Sequence, residues 1–215
     1  WSRTFGGSYY DVGYSAQQTS DEGYIIVGNT QPSTANTRDV FLVKTNSEGE
    51  MEWNKTFGIG EKNNGYSVQQ TSDGGYIITG DTREFASSYD DVYLVKTDSV
   101  GELVWEKTFG GEYGDIANSV QETDDGGYII AGSTRSFGDR GGAFYLVKTN
   151  SEGNPEWNNT FDSGQGTDVG YSVQETSDEG YIIVGMGGGG MFVYLVKTDS
   201  EGDMEWSNTF GGDRL

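Results

Sequence analysis

Tryptophan returns along this chain at a nearly fixed interval, and this periodicity limits the possible folds more than any other feature. Trp1, Trp53, Trp105 and Trp157 are 52 residues apart, and Trp206 follows after a further 49 residues. A phenylalanine stands four residues after each tryptophan, and the residues in between recur in the same order. A period of this length indicates a fold that stacks several copies of one supersecondary unit.

Each copy contains four strand signals separated by turn signals, and we label the strands A to D. In the first copy, A covers residues 14–19, B residues 24–27 and C residues 40–45, and D holds the tryptophan and phenylalanine. The A–B and C–D links have the Asp-or-Asn-then-Gly chemistry of tight hairpins, and helical periodicity is absent. Consecutive strands should therefore pair as an antiparallel meander. Strand D should be the edge, because Pro155 begins it in the third copy and proline is tolerated on edge strands.

Strand B is continuously apolar and therefore needs cover on both faces, which stacked sheets provide. The sequence predicts an all-β fold, a four-bladed β-propeller of four antiparallel meanders of about 52 residues, with part of a larger propeller or array as the alternative. The repeats cover approximately residues 6–57, 58–109, 110–161 and 162–210 of a single domain, 1–215.

Residues 1–5 duplicate the outer strand of residues 206–210, which makes seventeen strands where a closed ring holds sixteen. This surplus outer strand has three possible places. It closes the ring in place of residues 206–210, pairs with a neighbouring molecule, or shows that the sequence is cut from a longer array. Because the sequence begins at Trp1, we also expect a removed leader or a longer parent protein.

The composition excludes several kinds of function. The chain has 34 acidic and 13 basic residues and a net charge of −21, which repels nucleic acids and anionic membranes. No apolar run is long enough for a membrane helix, so we expect no membrane insertion. The absence of histidine and cysteine removes Ser-His-Asp and Cys-His chemistry, His- or thiolate-ligated metals and disulfides. We therefore expect no enzyme, with a carboxylate-based glycosidase or another propeller enzyme as the alternative.

Connections in a four-stranded meander alternate between two ends of the sheet, and the two ends differ. The A–B and C–D turns are short and nearly identical in every copy, whereas the D–A and B–C loops vary in length and sequence. Binding residues concentrate on such variable loops, although unconstrained solvent loops would look the same. The aromatic and arginine residues there are the candidate ligand-binding residues: Tyr9, Tyr10, Arg83, Phe85, Tyr113, Arg135 and Phe137.

The turn end repeats one acidic and one basic position. The aspartates are Asp21, Asp73, Asp125 and Asp178, and the lysines are Lys44, Lys96, Lys148 and Lys197. Clustered carboxylates suit Ca²⁺, but Asp beside Gly is also what these turns require, so turn chemistry is the leading interpretation and calcium the alternative. We expect no other cofactor. A lysine repeated four times predicts a structural ion pair or hydrogen bond with an acidic or carbonyl partner.

Two N-glycosylation sequons, at Asn54 and Asn158, lie on the predicted outer strand and fit a surface protein.

One segment of the repeat, L-V-K-T-(N/D)-S-x-G-x-x-x-W, occurs four times and resembles the tryptophan-docking motif of quinoprotein-type propellers. It departs from that pattern at Thr45, where an aspartate is common, and we transfer no quinone cofactor. The whole repeat also resembles tandem repeats in secreted archaeal and bacterial surface proteins, of the form TFGG…GYSVQQTSDGGYIIAG. That resemblance implies an extracellular or cell-surface location. It favours a structural or adhesive protein that self-associates through its terminal strands, with a lectin-like module for glycans or surface proteins as the alternative.

Overall fold

The computed structural model describes residues 1–31, 37–84, 87–138 and 141–212, and sixteen β-strands lie among them. The chain divides into two compact units, Trp1–Phe109 and Gly110–Leu215. The first unit contains β1 (Asp11–Gln18), β2 (Tyr24–Thr30), β3 (Asp39–Thr45), β4 (Met51–Phe57), β5 (Lys62–Gln70), β6 (Tyr76–Arg83), β7 (Asp91–Thr97) and β8 (Leu103–Phe109). The second contains β9 (Asp115–Glu122), β10 (Tyr128–Thr134), β11 (Ala143–Thr149), β12 (Pro155–Phe161), β13 (Val169–Glu175), β14 (Tyr181–Gly187), β15 (Phe192–Thr198) and β16 (Met204–Phe210).

The predicted meander is confirmed in all four copies. Each copy forms a separate four-stranded antiparallel sheet in which consecutive strands pair in chain order, so that β4, β8, β12 and β16 are edge strands. Pro155 begins β12 at the edge, opposite Thr149, where its missing N–H breaks no interior ladder.

Strands A and B are longer than the sequence indicates. In the first sheet, β1 begins at Asp11 because a bulge between Gly13 and Ser15 lets the chain continue in the ladder. β2 continues through Gly28 to Thr30, and glycine is required there because a Cβ would lie 1.7 Å from the carbonyl oxygen of Val12. Glycine usually indicates a turn, but here Gly13 and Gly28 lie inside strands, one at a bulge and the other at a close backbone approach.

Within each unit, one sheet packs face to face on the next. We call the face of β1–β4 that carries Ile25, Val27 and Leu42 its leading face, and these side chains are fully buried. They pack in one cluster with the opposing face of β5–β8, which we call a trailing face and which contributes Val68, Ile78 and Val95. Burial of each such side chain contributes roughly 1.5–3 kcal/mol.

The second unit repeats this packing. The leading face of β9–β12 contributes Ile129 and Leu146, and the trailing face of β13–β16 contributes Val173, Ile183 and Val196. At each of these two interfaces, a stacked sheet covers one face of the apolar strand B.

One expectation about the ends of the repeat array changes. Residues 1–5 do not form the surplus outer strand, because they have no strand C to pair with and lie outside every sheet. Among the described residues no sheet closes on itself, so the closed propeller stays a prediction.

Candidate functional site

The turn end of every sheet contains the same lysine cluster. In the first sheet, the buried Lys44 ammonium lies 2.8 Å from Asp21 Oδ2 and 2.9 Å from Glu52 Oε2, and it donates a 3.0 Å hydrogen bond to the carbonyl oxygen of Thr45. The equivalent lysines, Lys96, Lys148 and Lys197, pair with Asp73, Asp125 and Asp178 in the same way. The predicted ion pair between the repeated lysine and an acidic partner is confirmed.

Each turn aspartate is held by its own hairpin as well as by the lysine. Asp21 Oδ1 accepts from the hydroxyl of Thr19 at 2.5 Å and from the backbone N–H of Gly23 at 3.1 Å. Hydrogen bonds from Lys44 and Thr19 lower the pKa of Asp21 from 3.8 to about 2. The threonine, aspartate and glycine of the turn thus position the carboxylate that receives the lysine.

The four calcium candidates, Asp21, Asp73, Asp125 and Asp178, therefore lie in four separate turns, each against a lysine. In the described parts of the chain, no group of three or more acidic side chains is placed to hold a metal ion.

The second sheet has a weaker version of the cluster. Glu52, Glu156 and Glu205 each contact a lysine, but Val104 stands at the equivalent position next to Lys96. Val104 is exposed on the edge strand β8.

We expect Val104→Glu to stabilise the protein by about 0.5 kcal/mol, because it restores the second carboxylate that the other three lysines have. Chemical denaturation at low and high salt measures the effect, which screening should reduce. Val104→Gln is the matched control and should give little gain. A destabilised Val104→Glu variant would contradict this view of the cluster.

The variable-loop end is organised by a residue that the sequence analysis did not single out. At the start of strand A, every copy has an aspartate or asparagine that accepts hydrogen bonds from the preceding D–A loop. Asp115 accepts from the backbone N–H of Gly111 at 2.9 Å, and Asp168 accepts from that of Ser163 at 2.6 Å. The equivalent residues are Asp11 and Asn63. The signal was available, because an aspartate or asparagine recurs three residues before the sequence-defined start of each strand A.

Asp115 also ties the two loops of its sheet together. The hydroxyls of Thr134 and Ser136, from the B–C loop side, donate to its carboxylate, the latter at 2.6 Å. The Ser136 hydroxyl oxygen also lies 2.9 Å from the carbonyl oxygen of Tyr113 and accepts from the Tyr113 backbone N–H. Asp115 is fully buried, so this hydrogen-bond network fixes the relative positions of the two loops.

Three of the candidate ligand-binding residues are brought together by this network. Tyr113, Arg135 and Phe137 are all exposed and lie on the two loops that Asp115 joins. The Phe137 ring packs 5.5 Å from that of Tyr145, at an interplanar angle of 30°. Tyr113, Arg135 and Phe137 form what we call the aromatic loop patch.

The other candidates have different surroundings. Tyr9 and Tyr10 are exposed on the first D–A loop. Arg83 is held by a bidentate pair with Asp90, with both N–O distances at 2.8 Å, so its guanidinium has a structural partner that the sequence did not indicate. Phe85 lies outside the described residues.

A buried carboxyl near the variable end of β6 was also missed. Asp81 is 3% exposed and accepts from Asn64 Nδ2 at 2.8 Å and from the hydroxyl of Tyr66. Burial raises the pKa of Asp81 to about 6, against the effect of these two hydrogen bonds. The first sheet has Asn29 at the same position, where the amide is buried and has no hydrogen-bond partner among the described residues.

We expect Asp81→Asn to stabilise the protein by about 1 kcal/mol at pH 7. The folded-state pKa lies above the unfolded value of 3.8, so the native state binds more protons between pH 4 and 6 and loses stability as the pH rises through this window. Asparagine removes that loss but buries an amide with fewer partners. Denaturation from pH 4 to 8 should show a flatter profile in the variant, and an unchanged profile would contradict the assignment.

The two sequon asparagines, Asn54 and Asn158, are exposed on the edge strands β4 and β12. Within the ranges that the structure describes, no helix is long and apolar enough to cross a membrane.

The fold and its two ends define an all-β protein of four repeated four-stranded antiparallel sheets. No known family model matches the chain, and no curated protein matches it. Among solved structures, the tail fiber of Staphylococcus aureus phage P68 is similar at 8% sequence identity and a TM-score of 0.28, over 95% of this chain and 50% of that one. The chain thus spans about half the length of that protein.

Proposed function

We propose that this protein is a non-catalytic structural or adhesive protein of the cell surface whose repeated sheets carry a binding surface on their variable loops. The observation that carries the proposal is the aromatic loop patch. Its exposed aromatic and arginine side chains lie on two loops that the buried Asp115 joins, whereas the turn end repeats one structural cluster four times. Exposed aromatic and arginine side chains on well-positioned loops are typical of recognition surfaces.

We further propose that the sheets are blades of a β-propeller or of a longer array. The packing of a leading face on a trailing face in each unit supports this arrangement. The exposed sequons on the edge strands and the net charge of −21 fit an extracellular protein that avoids nucleic acid and anionic membranes.

The second candidate function is a lectin-like module. The observation that favours it is the chemistry of the aromatic loop patch. Its exposed tyrosine and phenylalanine rings provide surfaces on which sugar rings can stack, and Arg135 provides hydrogen-bond donors. Glycans and surface proteins are the proposed ligands.

A binding screen tests both functions. The 215-residue protein is applied to a glycan array and to isolated archaeal and bacterial cell envelopes. We expect binding that falls at least tenfold in the double variant Tyr113→Ala, Phe137→Ala. Glu201→Ala, an exposed change at the turn end, is the control and should bind like the wild type. Envelope binding without glycan binding favours the adhesive function, and binding to neither overturns the proposal.

A further inference from the structure

The leading face of the last sheet, β13–β16, exposes apolar side chains whose counterparts in the first sheet are buried. Val184, Val193 and Phe210 are 36%, 45% and 54% exposed, whereas Val27, Val40 and Phe57 are 0%, 0% and 9% exposed. Trp206 is 43% exposed on the same sheet. We call Val184, Val193, Trp206 and Phe210 the terminal apolar face. Part of it forms an open groove of about 530 Å³, which Tyr171 and Met191 also line.

The structure shows what covers such a face elsewhere in the chain. The leading face of β1–β4 is covered by the trailing face of β5–β8, and Trp53 packs edge-on against Tyr76 at 5.8 Å and 62°. In the second unit, Trp157 packs against Tyr181 at 5.7 Å and 57°. One geometry thus serves both interfaces, and a tyrosine at the start of strand B receives the tryptophan each time.

The first sheet carries the same tyrosine on its own trailing face, and a tryptophan already occupies it. Trp1 packs against Tyr24 at 5.9 Å and 61°, nearly the geometry of Trp53 on Tyr76. The Trp1 ring also covers Gly49, where an added Cβ would lie 2.3 Å from it. Residues 1–5 read WSRTF and residues 206–210 read WSNTF, so the two segments are near-duplicates. The segment 1–5 therefore imitates the outer strand of a preceding sheet.

Residues 1–5 cover the trailing face of β1–β4 only in part. Ile26 and Phe41 remain partly exposed on the trailing face of β1–β4, whereas their counterparts Ile78 and Tyr93 are buried. A cavity of about 210 Å³ remains beside Phe5 and is lined by Ile26, Phe41 and Val43. Five residues cover less of the face than a four-stranded sheet does.

We propose that the terminal apolar face of one molecule docks on the trailing face of β1–β4 of a second copy, with Trp206 replacing Trp1 on Tyr24 of that copy. The contact continues, between molecules, the sheet-on-sheet interface already formed within each unit. It is heterologous, so repetition produces a ring or a filament. The proposal names the partner and the surface for the self-association that the resemblance to surface-protein repeats favours, and it rests on the structural role given to the protein in the proposed function.

Charge and competition set the conditions for this association. Each molecule carries a net charge of −21, so association should strengthen with ionic strength as repulsion is screened. Trp1 of the receiving molecule must leave Tyr24, so it acts as a competitor of Trp206. The two tryptophans therefore have opposite effects, which an unspecific apolar contact would not produce.

Sedimentation velocity over 1–200 μM protein, in 0.05 and 0.5 M NaCl, tests the proposal. We expect the average mass to rise above the 23.4 kDa monomer with concentration, and more strongly at high salt. Trp206→Ala should weaken association at least tenfold, and Phe210→Asp should abolish it. Trp1→Ala should strengthen it at least threefold, and circular dichroism verifies that each variant is folded.

Two results would overturn the proposal. One is a monomer at every concentration and salt, whether because another partner covers the face or because it closes within one molecule. The other is a Trp1→Ala variant that associates more weakly than the wild type. Binding to glycans and envelopes is measured on the same samples, so that loss of self-association with intact binding refutes the docking contact alone.

Discussion

Trp157→Ala is expected to lower the free energy of unfolding of the second unit by about 3 kcal/mol. The indole packs at the edge of the core between β9–β12 and β13–β16, with its ring 5.7 Å from that of Tyr181. It also lies over Gly202, where a Cβ would come within 2.6 Å of the ring. Truncation of a large aromatic side chain in a packed interface costs about 3–5 kcal/mol, and the partial exposure of Trp157 places it at the lower end.

Trp206→Ala is the matched control, because the two tryptophans share one position of the repeat. Trp206 is 43% exposed, so its loss should cost less than about 1 kcal/mol in the monomer. Urea denaturation followed by circular dichroism, at a protein concentration where the chain is monomeric, measures both. Equal losses in the two variants would show that the tryptophan acts within its own sheet and not through docking on the next one.

Lys148→Met is expected to destabilise the protein by about 2 kcal/mol without abolishing any binding activity. The ammonium donates to Asp125 at 2.7 Å, to Glu156 at 3.2 Å and to the carbonyl oxygen of Thr149 at 3.1 Å. Methionine preserves the buried apolar stem but loses these charge-assisted hydrogen bonds. Because both carboxylates remain about half exposed, water replaces part of the loss, and the cost is smaller than that of a fully buried broken pair.

The same variant has a predicted pH signature. Partial burial raises the pKa of Asp125, but hydrogen bonds from Lys148 and Thr123 outweigh it and lower that pKa to about 2. Since the folded-state pKa is below the unfolded value of 3.8, wild-type stability falls as the pH drops from about 4 to about 2. This fall should be smaller in Lys148→Met.

Lys96→Met is the comparison for this prediction, because Val104 replaces the second carboxylate there. Its cost should be lower than that of Lys148→Met by roughly 0.5 kcal/mol, the value of one exposed ion pair. Unchanged melting of Lys148→Met would refute a structural role for the repeated lysine.

The sequence by itself determined the strands, their antiparallel order and the edge position of strand D. These features depend on residues that are close in the chain, such as the glycines that allow tight turns and the apolar run of strand B. It also predicted an acidic or carbonyl partner for Lys44 and its equivalents, because four copies of one position reveal a fixed environment even without coordinates. The exposed sequon asparagines, Asn54 and Asn158, lie on the strand that the repeat predicted.

Only the tertiary structure decided how the loops and the terminal segments are used. Arg83 and Arg135 look alike in the sequence, but Asp90 holds the first and the second is exposed, because contacts across a variable loop leave no periodic pattern. Asp115 appeared to be one acid among 34, and only packing showed that it is buried and joins two loops. Residues 1–5 and 206–210 are nearly the same peptide, yet one lies outside every sheet and the other is an edge strand. Strand formation requires a neighbouring strand to satisfy the backbone, and only residues 206–210 have one.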